Sequence, residues 1–525
     1  MKKKITYSTI LFSILMVIFF LPMVQEHFSI FTFAPLNGVT QEKKIQPFTF
    51  SNYYKGTWQG SIESYISANY GFREPSIRLY NQYLWDVYKK THSKTIVRSD
   101  DNWLFEKMFV QDYYEGLQYK FADNPEKLKT KFRNEARRLH FVQEILKEYG
   151  KTLFVMVEPG KGDIYPEHLP QNKTYLRPKN LSAVDYYPLL FDSLHINYIN
   201  INTWFKAIKD TASFNLYPQT GTHWSNIASA YATDSLIRYM EKLGNVNMKN
   251  ISLGKPYSDK TRKPDADLDE LLNLNRPIPL EKPNTYVDIT TLPDSTAVKP
   301  SIIIVGDSYL WNISYQIDLK EFFHSNPYWY YNSTIYWDNA FSSTKEIKDL
   351  AMKLINTDFI MLSYCSTMLY ELGNDFIPQA LVSLCYNTEE IDSVVSVIKG
   401  RILANTEWKS NIKAKADAQG KNFDALIEEN ARYTLYQNPE EFFPELAGPE
   451  IPKKRNRVLN EMYEIQKQFT DDYELQHFVY SIYANPNWLK TVKEHAEKRN
   501  TSMIATLREE AQFALDEQRN KQSIQ

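Results

Sequence analysis

The chain holds two cysteines in 525 residues, Cys365 and Cys385. Two cysteines define no disulfide framework. They read either as one bridge or as two buried thiols. Metal chemistry also has little to build on. The nine histidines never recur three or four positions apart, and neither an HExxH nor a CxxC run occurs. No metal site and no cofactor are therefore expected. Charge of one sign is missing too, because the formal net charge is −2. A near-neutral balance implies no basic surface for nucleic acid.

Aromatic residues are abundant instead, at 14%, with 37 Tyr and 10 Trp. Their rings pair apolar faces with polar tips, which serves an aromatic-rich core or a sugar-binding surface. The length exceeds one ordinary domain. Lys2, Lys3 and Lys4 precede Ile5 to Val24, a run of 20 residues without a charge. As a helix that run rises about 30 Å, enough to cross a membrane. Its end, "LPMVQEHF", has no small-x-small cleavage pattern, so an uncleaved anchor is favoured over a cleaved signal. The leading lysines hold the N-terminus in the cytoplasm. Either way, the rest of the chain is expected on the extracytoplasmic side of the cytoplasmic membrane.

Residues 1–27 thus read as the anchor and 28–60 as an aromatic, Pro-containing linker. Residues 61–92 look helical with a break at Gly71 to Pro75, and 125–149 form a long helix stopped by Gly150. A continuous apolar run at 151–159 reads as a buried strand, and 196–202, 301–308 and 357–364 read as further strands. Helical patterns at 225–243 and 345–355 lie between them. Strands alternating with helices predict an α/β fold with a mostly parallel sheet and flanking helices. We place it over residues 61–372. In such sheets the chemistry sits beyond the C-terminal strand ends.

Residues 373–525 turn charged and helical, and they repeat. Segment 402–437 aligns without a gap with 482–517, at an offset of 80, and ten of the 36 positions are identical. Trp408 pairs with Trp488, Lys413 with Lys493 and Ala431 with Ala511. This region is expected to be a non-catalytic, all-helical module with two copies of one unit.

Two short stretches carry the chemistry. "SIIIVGDSYLWN" (301–312) ends a strand on Gly306, Asp307 and Ser308. "YPQTGTHWSNIASAYATDSLIRYM" (217–240) places His223 on a loop before a helix that Ser225 or Asn226 can cap. A serine hydroxyl becomes nucleophilic when a base such as histidine takes its proton. Ser308 and His223 are the candidate nucleophile and base. Each motif alone is an ordinary turn signal.

Together they resemble the SGNH-hydrolase-like domain of alginate O-acetyltransferases of the AlgJ/AlgX type. "GDSY" (306–309) and "THW" (222–224) carry the likeness, with "YGFREPSIRLYN" (70–81), "DDNWLFE" (100–106) and "PGKGDIYPEHLP" (159–170) in the family order. It spans roughly residues 55–370 and not the C-terminal repeats. The resemblance implies acetyl transfer to hydroxyls of an exported polysaccharide. Ser308 would carry the acetyl group, and His223 would act as base and acid. The Ser308 N–H would steady the oxyanion, worth roughly 3 kcal/mol. A multi-pass membrane-bound O-acyltransferase would supply the donor.

One position departs from the family. Its Asp-x-His-Trp pattern has Gly221 in place of the acid that orients the imidazole. Another carboxylate substitutes, or a backbone carbonyl does, or the activity is lost; Asp307 beside the nucleophile and Asp163 in the Lys161 loop are among the carboxylates. Asp307 is expected mainly to brace the turn, and Lys161 to support the site. Two other readings stand beside acetyl transfer: an esterase of the same fold, and a non-catalytic polysaccharide-binding subunit of an acetylation complex. Trp224, Tyr309 and Trp311 flank the site as sugar-stacking or core residues.

Overall fold

The computed structural model describes residues 6–38, 43–116, 125–170, 182–467 and 485–523, with Leu475, Phe478, Val479, Ser481 and Ile482 between the last two spans. Lys2 to Lys4, and with them the charge signal for orientation, lie outside the described residues. Helix α1 (Tyr7–Phe28) is capped by Thr6, whose side chain accepts from the Thr9 amide. It is long and apolar enough to cross a membrane, with mean hydropathy 2.2. Its apolar side chains stay exposed.

Helices α2 (Thr57–Asn69) and α3 (Arg73–Tyr88) follow. The expected break falls at residues 70–72, and Pro75 sits in the first turn of α3, where its missing N–H costs nothing. The expected linker is partly ordered, since α2 begins inside it. The end of α1 lies against this break. A Cβ on Gly71 would fall 2.4 Å from the Pro22 carbonyl oxygen and 2.5 Å from the Glu26 amide. Only glycine permits that approach of two backbones.

A hairpin of β1 (Ile96–Arg98) and β2 (Leu104–Glu106) leads to α4 (Pro125–Glu148). Then come β3 (Thr152–Glu158), α5 (Ala183–Leu194), β4 (Tyr198–Asn200) and α6 (Asn226–Gly244). A short helix, α7 (Asp267–Leu272), precedes β5 (Ile302–Gly306) and α8 (Leu310–Gln316). The domain closes with β6 (Tyr328–Tyr330), β7 (Thr334–Tyr336) and β8 (Phe359–Cys365).

Six strands form one sheet in the order β7-β6-β5-β8-β3-β4, parallel except for the β6/β7 pair. The central strands β5 and β8 are buried along their whole length. Their continuous apolar runs are what a sheet covered on both faces requires. One face packs Phe154, Met156, Ile302, Ile304 and Met361 against α6 and α8. The other packs Val155, Val157, Ile303 and Leu362 against α4 and α5.

Two expected elements come out differently. The run 196–202 stops as a strand at Asn200, because the Asn200 side chain accepts from the Thr203 amide and starts a helix, Ile201–Ile208. The pattern at 345–355 splits into a 3-10 turn at Thr344–Glu346 and a helix at Leu350–Ile355, where Asp349 caps the second.

Beyond β8, helices α9 (Phe376–Cys385), α10 (Thr388–Ala404), α11 (Thr406–Gln419) and α12 (Phe423–Gln437) add to the second core face without interruption. Helices α13 (Pro486–Arg499) and α14 (Met503–Ser523) form a separate cluster. The buried positions of the two copies coincide at the offset of 80. Ile412, Ala416, Ile427, Ala431 and Leu435 match Val492, Ala496, Leu507, Ala511 and Leu515. The first copy packs on the domain core, and the second packs on itself. Cys365 and Cys385 are buried free thiols.

Candidate active site

Ser308 follows the tip of β5, at the sheet edge where parallel strands deliver their chemistry. It is half-buried, between buried Asp307 and Tyr309. The Asp307 carboxylate ties the turn down. It accepts from the Tyr309 amide at 3.0 Å and from the Cys365 amide, at the tip of β8, at 2.8 Å. Tyr328 donates its hydroxyl to the Asp307 carbonyl. Burial pushes the Asp307 carboxyl above its ordinary pKa, against the pull of those two amides.

His223 arrives from the loop before α6. Ser225 caps that helix, its hydroxyl accepting from the Ala228 amide at 3.3 Å. The imidazole Nε2 lies 2.9 Å from Ser308 Oγ, and Nδ1 lies 2.9 Å from Asp267 Oδ2. Nδ1–H donates to the carboxylate, which leaves Nε2 as the acceptor facing the hydroxyl. The other Asp267 oxygen accepts from the Thr222 amide at 2.8 Å. One carboxylate therefore fixes both the ring and the backbone that carries it.

The carboxylate on Nδ1 is neither Asp307 nor Asp163 but Asp267, the first residue of α7. Asp307 braces the turn that carries Ser308. Asp163 is buried in the turn that opens the Lys161 loop beyond β3. Gly221, at the position of the family acid, has no room for a side chain. A Cβ there would lie 2.6 Å from Pro218 Cγ and 3.0 Å from the Asp265 carbonyl oxygen. The segment that supplies Asp267 occupies that space.

Lys161 is completely buried, and its ammonium donates to three carbonyls: Leu104 at 2.6 Å, Gln219 at 3.0 Å and Gly221 at 2.7 Å. Burial pulls its pKa well below the ordinary lysine value, and the Asp267 charge opposes that pull. Three acceptors use all three ammonium protons. The Thr220 carbonyl accepts from the Leu268 and Asp269 amides, and the Thr222 carbonyl from the Tyr309 hydroxyl at 3.1 Å. The four carbonyls from Gln219 to Thr222 are thus all held.

The imidazole is mostly buried. Burial lowers its pKa, but the hydrogen bond and charge of Asp267, with Glu106 and Asp307 nearby, more than offset this and raise it. Glu106, at the end of β2, is a further acid beside the pair. Burial and the Asp267 charge push its carboxyl up, and His223 pulls it down. Trp224 and Tyr309 are core residues, 0% and 2% exposed, and Trp311 is half-buried. No cluster of three or more metal-ligating side chains occurs among the described residues.

Sequence reasoning missed Asp267 and Glu106. "DADLDE" (265–270) offers four acids, and nothing in the linear pattern marks the one that meets His223.

A serine at a strand tip of a mostly parallel sheet, with a histidine from the loop before a flanking helix, defines an SGNH-hydrolase-like α/β domain. Residues 96–326 match the family described as SGNH hydrolase-like domain, acetyltransferase AlgX. Among solved structures the chain is similar to the O-acetyltransferase domain of Pseudomonas putida AlgJ, at 15% identity over 55% of this chain and 99% of that chain, with TM-score 0.34. It is similar to Pseudomonas aeruginosa AlgX at 14% identity over 55% of this chain and 67% of that one, TM-score 0.35. For Bacillus cereus PatB1 the identity is 10% over 52% and 96%, TM-score 0.32. No curated protein matches the chain.

Proposed function

We propose that the protein is an O-acetyltransferase that moves an acetyl group through Ser308 onto hydroxyls of an exported or cell-surface polysaccharide. The observation that carries this reading is the His223 ring, 2.9 Å from Ser308 on one side and 2.9 Å from Asp267 on the other. That arrangement activates a hydroxyl for acyl chemistry.

Ser308 Oγ attacks the donor carbonyl as its proton passes to Nε2. The Ser308 N–H supports the oxyanion. The imidazolium, steadied by Asp267, protonates the departing group, and the acetyl ester remains on Ser308. A sugar hydroxyl then attacks that ester while His223 takes its proton. Ser308 leaves and recovers the proton from Nε2. Lys161 acts on the backbone of the histidine loop, not on the reacting atoms.

Helix α1 anchors the chain with the domain on the extracytoplasmic side, where a multi-pass membrane-bound O-acyltransferase supplies acetyl groups. A non-catalytic subunit is less supported, because Asp267 stands on Nδ1 where Gly221 offers no acid.

The test is an acyl-enzyme trap. The full chain is mixed with a chromogenic acetyl ester and read by intact mass beside Ser308→Ala and His223→Ala. A single acetyl adduct on Ser308, absent from Ser308→Ala, is expected. Faster turnover with polysaccharide acceptors identifies transfer, and unchanged release to water identifies an esterase. Absence of both adduct and ester turnover overturns the reading.

A further inference from the structure

Just past the nucleophile the chain gathers aromatic rings the mechanism does not use. Trp311, in α8, donates its amide to the Ser308 carbonyl at 3.2 Å. Three rings stand nearly perpendicular to its indole: Tyr336 at 4.9 Å, Tyr328 at 5.2 Å and Trp337 at 5.3 Å between centroids. Tyr328 lies 31° from the plane of Trp337 and 32° from that of Tyr336. The inner ring, Tyr328, is fully buried and bonded to Asp307. The outer two are not. Tyr336 is 37% exposed and Trp337 39%.

Trp337 also sits at φ +61°, in the left-handed region that bulky residues rarely adopt. A large aromatic side chain held there and left in water is a costly arrangement for packing alone. The neighbouring charge is cancelled. Asp338 pairs with Lys353 at 2.9 Å, and both side chains are largely buried. What faces solvent is a pair of ring surfaces, anchored through Trp311 to the turn that holds Ser308.

We infer that Tyr336 and Trp337 form an acceptor subsite that stacks on the C–H faces of pyranose rings, so that the acceptor is recognised by ring stacking rather than by charge. This rests on the proposed function and names how that site takes its polysaccharide. Trp311 packs on both rings and bonds the Ser308 carbonyl, which ties the subsite to the turn that carries Ser308.

The experiment is calorimetric titration of the full-length chain in detergent with cellohexaose, chitohexaose and hexameric mannuronate. At least one probe is expected to bind wild type and Ser308→Ala alike. Trp337→Ala and Tyr336→Ala should weaken that binding by about tenfold or more. Trp337→Phe keeps a ring and should recover most of it. Tyr433→Ala, removing an exposed ring far along the chain, should change nothing. Failure of wild type to bind any probe overturns the subsite, as does unchanged binding by both alanine variants. Neither result touches the acyl-serine reading, which stands or falls on the mass adduct.

Discussion

Asp267 grips His223 from 44 residues downstream, and the same carboxylate holds the Thr222 amide. The orienting acid and the imidazole are thus joined across two segments, α7 and the loop before α6.

Replacing that acid tests the join. Asp267→Asn keeps the shape but offers Nδ1–H a poorer partner and admits the wrong tautomer. Turnover of an acetyl ester should fall by roughly 10³- to 10⁴-fold. The effect should appear in kcat with KM little changed. A drop of only a few-fold would remove Asp267 from the mechanism.

Titration of His223 gives the second expectation. The base works when neutral, so the rate rises with pH through its pKa. Burial lowers that pKa, yet the Asp267 bond and the nearby Glu106 and Asp307 charges raise it overall. The acidic limb of the kcat/KM profile should therefore lie above the ordinary histidine range, and Asp267→Asn should move it down. The stability that the raised pKa represents is fully present below the histidine's unfolded pKa and fades as pH rises through the folded one. The stability lead of wild type over Asp267→Asn, measured by urea unfolding, should narrow along that climb.

Gly221→Asp puts the family's acid back at its usual place. The new Cβ would lie 2.6 Å from Pro218 and 3.0 Å from the Asp265 carbonyl. The variant should lose stability and activity together, because it displaces the segment bearing Asp267. In an Asp267→Asn background it should restore nothing. A rescue of ester turnover would show that the loop tolerates both solutions.

Lys161→Met fills much of the same volume without donors. Three buried carbonyls lose a donor at once, and Gln219 keeps only the Leu104 amide. Unfolding should come about 3 kcal/mol or more earlier by urea titration. The ester rate of the protein still folded should also fall, because Gly221 and Gln219 frame His223.

The strands that carry the site were legible because burial on both faces demands continuous apolar runs, as in 301–306. Ser308 and His223 stood out through short motifs at a strand tip and before a capped helix. Asp267 did not, because its role arises when α7 docks its amides on the Thr220 carbonyl, a contact with no periodicity. Strand length was misread at 196–202 because Ile201 and Asn202 suit either state, and the Asn200 cap decides.

Gly71 meets α1, and α3 begins two residues later. Asn81 of α3 donates to the Leu272 carbonyl at 2.8 Å, and Gln82 accepts from the Arg276 amide at 3.1 Å. Trp85 packs against Leu268 and Leu272. Asp267 is therefore seated on the helix that abuts the apolar N-terminal rod. The rod is docked to the catalytic machinery rather than strung from it. With α1 across a membrane, as proposed, that docking would give Ser308 a set stand-off from the lipid surface.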